Sequence, residues 1–465
     1  MNLNDLKTAV TGDVITPADR EWGDARDHLV WNGRKPDAAP AVIVRAKGAS
    51  DVQAAVRYAG ANGLKVSARS SGHNFSGIAM QDGVVIDLSA MTAIHIDIAA
   101  RRADVQPGAK NLAMAAALTD AGLAFPLGHC GDVSMGGYLL GGGLGWNAGE
   151  WGIACHSVES ADVVMADGSL IRASATENEQ VFWALRGAGP AFFGIVTRYR
   201  LRLQPLPKAI TVSMWAYPIA RVADVTRWMT ACAAVLPAHT EFTLSLAPAP
   251  APMPDAKLAT AVLTIFADSM EVAGRITSEV GAWAPEGALM HQGPNPVSFG
   301  ILYGIIDQHF PDGARYGVDS AWGTDAAAML PAMARMVETA PSRMSGALAA
   351  FYPASAVIHQ QMPDTAFSMF APVLGLVHGL WTDPAEDALH LNWLRTGMDS
   401  FAPATKGHYV GEADLARPGH LQRCYSGPAR ARIEVLRASY DPKGLFSGRV
   451  ARDGAVGSAM ALAAE

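Results

Sequence analysis

Two stretches of this 465-residue chain hold residues whose types and spacing could do chemistry. The first is Arg69-Ser70-Ser71-Gly72-His73-Asn74-Phe75-Ser76-Gly77. The second is Gly128-His129-Cys130-Gly131-Asp132-Val133-Ser134-Met135-Gly136-Gly137, running on into Gly141-Gly142-Gly143-Leu144-Gly145. Both are poor in bulky side chains. Small residues let backbone N–H groups approach a ligand, and successive amides at a turn form a concavity that suits phosphate. Ser70, Ser71 and Ser76 add hydroxyl donors. His73 and Cys130 add an imidazole and a soft sulfur nucleophile, 57 positions apart. Taken alone, either glycine-rich loop reads equally well as a tight turn. A lone loop histidine is ordinarily solvated, and a lone cysteine is ordinarily a small buried hydrophobe. Only their combination points to a bound ligand.

The elements that must hold these loops are legible on either side. Ala41-Val42-Ile43-Val44 and Leu64 to Ala68 read as strands. Between them lies a helix with Val52, Ala55, Val56 and Ala59 on its apolar face, Ser50 or Asp51 as its cap and Gly63 as its stop. Val84 to Leu88 and Ile94-His95-Ile96 are short strands, and Lys110 to Ala121 is helical. Asp167-Gly168 between Val163-Val164-Met165 and Ser169-Leu170-Ile171 signals a hairpin. Gln180 to Arg186 is a short helix, and Ile195 to Leu203 alternates as a half-buried strand does. Gln204-Pro205-Leu206-Pro207 punctuates the chain, which places one domain over residues 1–207. Residues 208–408 form a second. Its strand candidates are Ile210–Tyr217, Glu241–Leu246, Leu258–Phe266 and Phe367–Trp381, and its helix candidates are Ala223–Val235, Met270–Ala282, Asp325–Thr339 and Pro384–Asp399. That order predicts an antiparallel sheet backed by helices, and an α+β chain overall. Pro248, Pro250, Pro252 and Pro254 mark an exposed loop, and Gly457 to Glu465 a loose tail.

Composition bounds the function. Half of the residues are hydrophobic, 17% are charged and the formal net charge is −7, which fits a globular protein and argues against nucleic acid or an anionic membrane as partner. Four scattered cysteines do not make a disulfide framework or a Cys-type zinc site, and suggest a reducing cytoplasm. The first seven residues lack the pattern of a signal peptide. The uncharged run after Val133 is broken by glycines and suits no membrane helix.

Arg69 to His73 and the Cys130 loop resemble the berberine bridge enzyme-like FAD-linked oxidases, within the vanillyl-alcohol oxidase superfamily. So do Phe182-Trp183-Ala184-Leu185-Arg186-Gly187-Ala188-Gly189, Gly194-Ile195-Val196-Thr197 and Tyr440-Asp441-Pro442-Lys443-Gly444-Leu445-Phe446. The resemblance implies a PCMH-type FAD-binding domain, a substrate domain whose sheet roofs the flavin, and a C-terminal segment, 409–465, that returns to the first domain. It implies covalent FAD, with His73 on the 8α-methyl and Cys130 on ring carbon 6. The pyrophosphate would lie at Arg69, Ser70, Ser71, Gly72, His73 and Asn74, with Gly136, Gly137, Gly142 and Gly143 giving backbone access from the other side. Gly194, Ile195 and Val196 would meet the adenine and ribose. Val133 matches the position that gates oxygen, where a small β-branched residue goes with oxidases. Ser71 stands where the family often has Gly, and His156 where an Asp is common.

Tyr409-Val410-Gly411 resembles the family's Tyr-x-Asn stretch, whose tyrosine is a base in several members. Gly411 replaces the Asn. A phenol of ordinary pKa near 10 would need lowering to serve. His378 and Trp381 line the substrate cavity if their strand faces the flavin. Phe351, Tyr352, Phe367, Met369 and Phe370 suggest apolar walls. The expected activity is hydride transfer from a small alcohol or amine, apolar or aromatic, to flavin N5. Tyr409 or a neighbour takes the proton, and O2 reoxidises the flavin to give H2O2. Gly187-Ala188-Gly189-Pro190, shared with hydroxynicotine oxidases, keeps amines open. One alternative is a dehydrogenase passing electrons to a quinone or protein acceptor. Another is a non-catalytic flavin-binding protein, to which only Gly411 points.

Overall fold

The computed structural model describes residues 1–249 and 256–447. Pro250, Pro252, Pro254 and the expected tail from Gly457 lie outside the described residues. Three main sheets organise the chain. The first has four strands in the order Asp13–Ile15, Pro40–Arg45, Gly83–Asp87, Val66–Arg69, the last three parallel. Helix Ala49–Ala61 makes the crossover and buries Val52, Ala55, Val56 and Ala59 at 0% exposure. Its cap is not the expected one. Gly48 is the N-cap, and Asp51 sits inside the first turn, where its carboxylate accepts from the backbone N–H groups of Thr11, Gly12 and Lys47. A carboxylate in a helix's first turn also faces the positive end of the macrodipole.

The second sheet is antiparallel, ordered Ile94–Asp97, Arg102–Val105, Ile195–Arg202, Val158–Val164, Leu170–Ser174. The predicted hairpin is present, with Gly168 at φ +78°.

The third sheet has eight strands, all antiparallel: Met290–Pro296, Ala209–Pro218, Lys257–Ala267, Thr240–Pro248, Gly346–Phe351, Val373–Trp381, Arg315–Gly323, Thr405–Gly407. Helices Val222–Ala233, Met270–Ala282, Ala326–Glu338 and Asp387–Ser400 cover one face with a core that includes Trp228, Met333 and Leu394. The expected strand over Phe367–Trp381 begins only at Val373. Residues 367–372 instead pack irregularly, with Phe367, Met369 and Phe370 in a core cluster around Trp322. The strands Arg315–Gly323 and Gly346–Phe351 escaped the sequence reading. Buried on both faces or rich in small residues, they show no strong alternation.

Residues 445–447 return to the first sheet. Val66 N donates to Leu445 O at 2.9 Å, and Ser447 N to Val66 O at 2.8 Å. Buried Asp441 shapes that turn by accepting from the Leu445 and Phe446 amides at 2.6 and 3.0 Å. No helix among the described residues is long and apolar enough to cross a membrane.

Candidate active site

The two glycine-rich loops and the open face of the eight-stranded sheet enclose one cavity of about 1550 Å³. That exceeds the roughly 300–1,000 Å³ of an ordinary small-molecule pocket and leaves room for a dinucleotide plus a second molecule. The first loop begins where strand Val66–Arg69 ends. Gly72 has φ +73°, and a Cβ there would collide with Leu29 O, so only glycine fits. Asn74 Oδ1 accepts from Ser76 N at 3.0 Å, an Asx-type turn that tightens the loop. Ser71 Oγ accepts from Ser134 N at 3.1 Å and joins the two loops directly. The second loop is pinned by the start of helix Asn111–Asp120. Asn111 Nδ2 donates to Cys130 O at 3.0 Å, and Asn111 N to Val133 O at 2.8 Å. A Cβ on Gly136 would meet Ser70 Oγ, so its absence lets the loops close.

His73, Asn74, Cys130, Val133, Gly136, Gly137, Gly194, Ile195 and Val196 all line the cavity, as do Arg69 to Gly72. Gly142 and Gly143 do not. Their positive φ angles serve packing instead: a Gly142 Cβ would be 2.5 Å from the Phe367 ring, and Gly143 abuts Tyr138 and Ala154. The expected backbone access at those two positions is therefore corrected to Gly141 and Leu144, which do face the cavity. Arg69 contributes less charge than expected. Its terminal nitrogens bond Asp87, His28 O and Ser71 O, leaving the buried Nε without a partner. Ser134 Oγ is likewise buried without a partner on the cavity wall. Unsatisfied donors in an amide-rich cradle are what a phosphate-bearing ligand would satisfy.

His73 stacks on Trp31 with ring centroids 4.8 Å apart. Burial pushes its pKa down to about 4, so its imidazole is neutral and nucleophilic at neutral pH. Cys130 behaves oppositely. Burial, then the carboxylates of Glu412, Asp307 and Asp132, push its thiol up to about 12. Its reaction with an electrophile requires a neighbouring group to take the proton.

An FAD binding domain family matches residues 40–174. FAD-linked oxidoreductase nodO of Hypoxylon pulicicidum is 29% identical over 448 residues, covering 94% of this chain and 96% of that protein. Among solved structures, 6-hydroxy-D-nicotine oxidase of Arthrobacter nicotinovorans superposes with a TM-score of 0.82 at 23% identity, covering 97% of this chain and 99% of its own. The BBE-like 1 protein of Physcomitrella patens gives a TM-score of 0.83 at 18% identity over 96% and 98%. The chain thus carries an FAD binding domain, and along nearly all its length it is similar to an FAD-linked oxidoreductase.

Tyr409, the expected base, sits on a segment clamped from behind. Tyr409 N donates to Ser320 Oγ at 2.9 Å, and Ser320 Oγ donates to Tyr409 O at 3.2 Å. Asp414 N donates to Asp319 Oδ1 at 3.0 Å, and His420 Nε2 bonds Asp319 Oδ2 at 3.1 Å. His408 Nδ1 bonds Ser320 O, and its ring stacks on His420 at 4.2 Å. Burial would push Asp319 up, but the His420 hydrogen bond and the charge of both imidazoles hold it below the ordinary carboxylate value. The ligand atoms of Asp319, His408 and His420 lie within 4.8 Å of one another, as a metal site needs. His408 Nδ1 and His420 Nε2 are already engaged by protein oxygens, so the trio acts as a clamp between strand Arg315–Gly323 and residues 408–420.

The Tyr409 hydroxyl accepts from Leu144 N at 3.4 Å. Burial, then the nearby Glu412, push its phenol well above the ordinary value, the reverse of what a base needs. Glu412, three residues on, carries no signal in the sequence that marks it as a site residue. It lines the cavity, and burial raises its carboxyl to about 7. His129, Glu241 and Trp31 were missed as well. His129 lies 3.3 Å from Glu241 Oε2 and packs on Trp146, and Glu241 Oε1 accepts from Asn147 N at 2.6 Å.

His378 faces the cavity between Phe75 and Phe310, 8% exposed, with burial lowering its pKa to about 4. Trp381 does not join it. Three positions along a strand reverse the face, and Trp381 packs outward on His390 with its Nε1 on Asp387. Phe351 and Tyr352 line the cavity. Phe367, Met369 and Phe370 lie behind its wall.

Proposed function

We propose that this chain is an FAD oxidase acting on a small, apolar or aromatic alcohol or amine. FAD would lie in the cradle of Arg69 to Asn74, Gly136, Gly137 and Gly194 to Val196, held covalently by His73 and Cys130. Bound FAD would supply a hydride acceptor at N5 and pass the electron pair to O2, releasing H2O2. The observation that carries the reading is that His73, Cys130, the amide cradle and the sheet's inner face all border one cavity. His73, neutral through burial, is the readier anchor. Tyr409 or its neighbour on the same turn would take the substrate proton. Leu348, Leu374, Leu376 and Val262 give the apolar wall, and Val133, beside Cys130, lines the cavity where a small side chain would admit O2. Residues 1–207 with 409–465 would bind FAD, and 208–408 would bind substrate. All four cysteines are free, which suits a reducing cytoplasm. The named relatives act on different molecules: 6-hydroxynicotine in one case and xylooligosaccharide in another.

The test is flavin fluorescence on a denaturing gel for the wild type, His73→Ala, Cys130→Ala and the double variant. Flavin kept by the wild type and each single variant, and lost by the double, supports two anchors. Loss from the wild type overturns covalent attachment. Rapid reoxidation of the reduced flavin in air with release of H2O2 supports an oxidase, and slow reoxidation overturns it in favour of a dehydrogenase.

A further inference from the structure

The cavity holds an imbalance of charge that its own residues do not resolve. Among the described residues lining it, Arg69 alone carries fixed positive charge, and its terminal nitrogens are bonded to protein. The carboxylates at the rim are exposed, and two of them are bonded: Asp132 to Lys110 at 2.6 Å, and Asp312 to Trp31 Nε1 at 2.6 Å. Deeper in, Glu241 accepts from Asn147 N and faces His129. Glu412 differs. It projects into the cavity from the turn closed by Glu412 N donating to Tyr409 O, and its carboxylate has no hydrogen-bonding partner among the described residues. His378, on the sheet, is a second cavity-lining group, nine-tenths buried, with no hydrogen bond among the described residues and a neutral ring that can accept one. The remaining wall is largely apolar. Only the His129 imidazole offsets the burial of Glu412, and in part, so ionising that carboxylate is costly. A cation arriving with the ligand would relieve that cost.

Resting on the flavoenzyme reading above, we infer that the cavity takes an apolar molecule bearing one cationic nitrogen, with the Glu412 carboxylate as its counter-charge. Glu412 is then a specificity residue that turns a greasy cavity into one selective for amines. His378 accepts a hydrogen bond from a donor elsewhere on the same ligand. Linkage gives a distinctive signature. Burial holds Glu412 protonated below about pH 7, and the cation binds only its ionised form, so each binding event below that pH releases a proton. The titratable groups facing Glu412 are His129 and Cys130 from the flavin loop, Tyr352 from the sheet side and Tyr409 on its own turn. The Glu412 variants separate its titration from theirs.

The experiment is isothermal calorimetry on the purified full chain with three probes of one shape: 3-phenylpropyl-trimethylammonium, the neutral 3-phenylpropyl methyl ether and the anion 4-phenylbutyrate. In the wild type at pH 8 the cation is expected to bind at least tenfold tighter than the ether, and the anion weakest. Below pH 7 the cation's affinity should fall about tenfold per pH unit while the ether's stays constant. In Glu412→Gln the cation and ether should bind within threefold of each other, and Glu412→Asp should restore part of the preference. Equal binding of cation and ether by the wild type overturns the inference, as does a preference that survives Glu412→Gln. Flavin absorbance, recorded on the same samples, keeps the two readings apart. A yellow protein without cation preference sinks this inference alone. A colourless protein sinks the flavoenzyme reading while the calorimetry still decides the cation preference.

Discussion

The cradle around His73 and the sheet that roofs it face the same cavity and are specified in opposite ways. The cradle is fixed by what is missing from its side chains. Gly72 and Gly136 leave no room for a Cβ, and Ser71 bridges the loops through one hydroxyl. The roof is fixed by which side chains point inward. Leu374, Leu376, His378 and Leu380 line the cavity, while Val377 and Trp381 pack against helices. A backbone-built site tolerates almost no substitution but recognises a common chemical group. A side-chain wall tolerates substitution and changes its ligand. The contrast explains how relatives named for nicotine and for xylooligosaccharide can share one fold.

Gly72→Ala should test the contrast most severely. The residue sits at φ +73° against Leu29 O, so a methyl group adds backbone strain to a collision, about 3 kcal/mol together. Thermal unfolding should drop by several degrees, and the protein should be purified without flavin. A yellow protein of unchanged Tm would show that side chains, not backbone, build the cradle.

Asp319→Ala probes the clamp that joins the regions. It leaves His420 Nε2 and the Asp414 amide without their buried acceptor, and removes a charge held between two imidazoles. The cost is about 3 kcal/mol in chemical denaturation at pH 7. The Asp319 carboxylate's stabilisation is present above the ordinary carboxylate pKa and fades as pH falls through its lowered value, so the two proteins should converge in strong acid.

Glu412→Gln should go the other way. Its carboxyl is raised from 4.5 to about 7, so the ligand-free fold binds more protons than the unfolded chain between those values. Stability therefore falls as pH rises through that window, by up to about 3 kcal/mol at 1.36 kcal/mol per unit. The variant should melt higher than the wild type at pH 8 and equally at pH 4. An equal Tm at both would place Glu412 in solvent.

Leu376→Ala should have the smallest effect on the fold. It removes part of the roof and none of the cradle, costing about 1–2 kcal/mol of stability or ligand affinity with flavin retention unchanged. Loss of flavin would break the division between the regions.

The sequence by itself determined the cradle and the scaffold under it. Glycine and serine runs after a strand, a histidine and a cysteine within them, and helix periodicity with its stops are local signals, since backbone geometry and side-chain volume act over a few residues. The same locality made Met270–Ala282 legible to the residue. Only the tertiary structure decided what meets across the cavity. Gly142 and Gly143 turn to Phe367 and Tyr138, Trp381 turns away from His378, and Glu412 comes to face Cys130 and His129. The meetings of Gly142 with Phe367 and of Glu412 with His129 join residues hundreds of positions apart, and burial is also what set the protonation of His73, Tyr409 and Glu412. A residue's type fixes which charges it can carry; the dielectric and the neighbours that choose among them exist only once the chain has closed around the site.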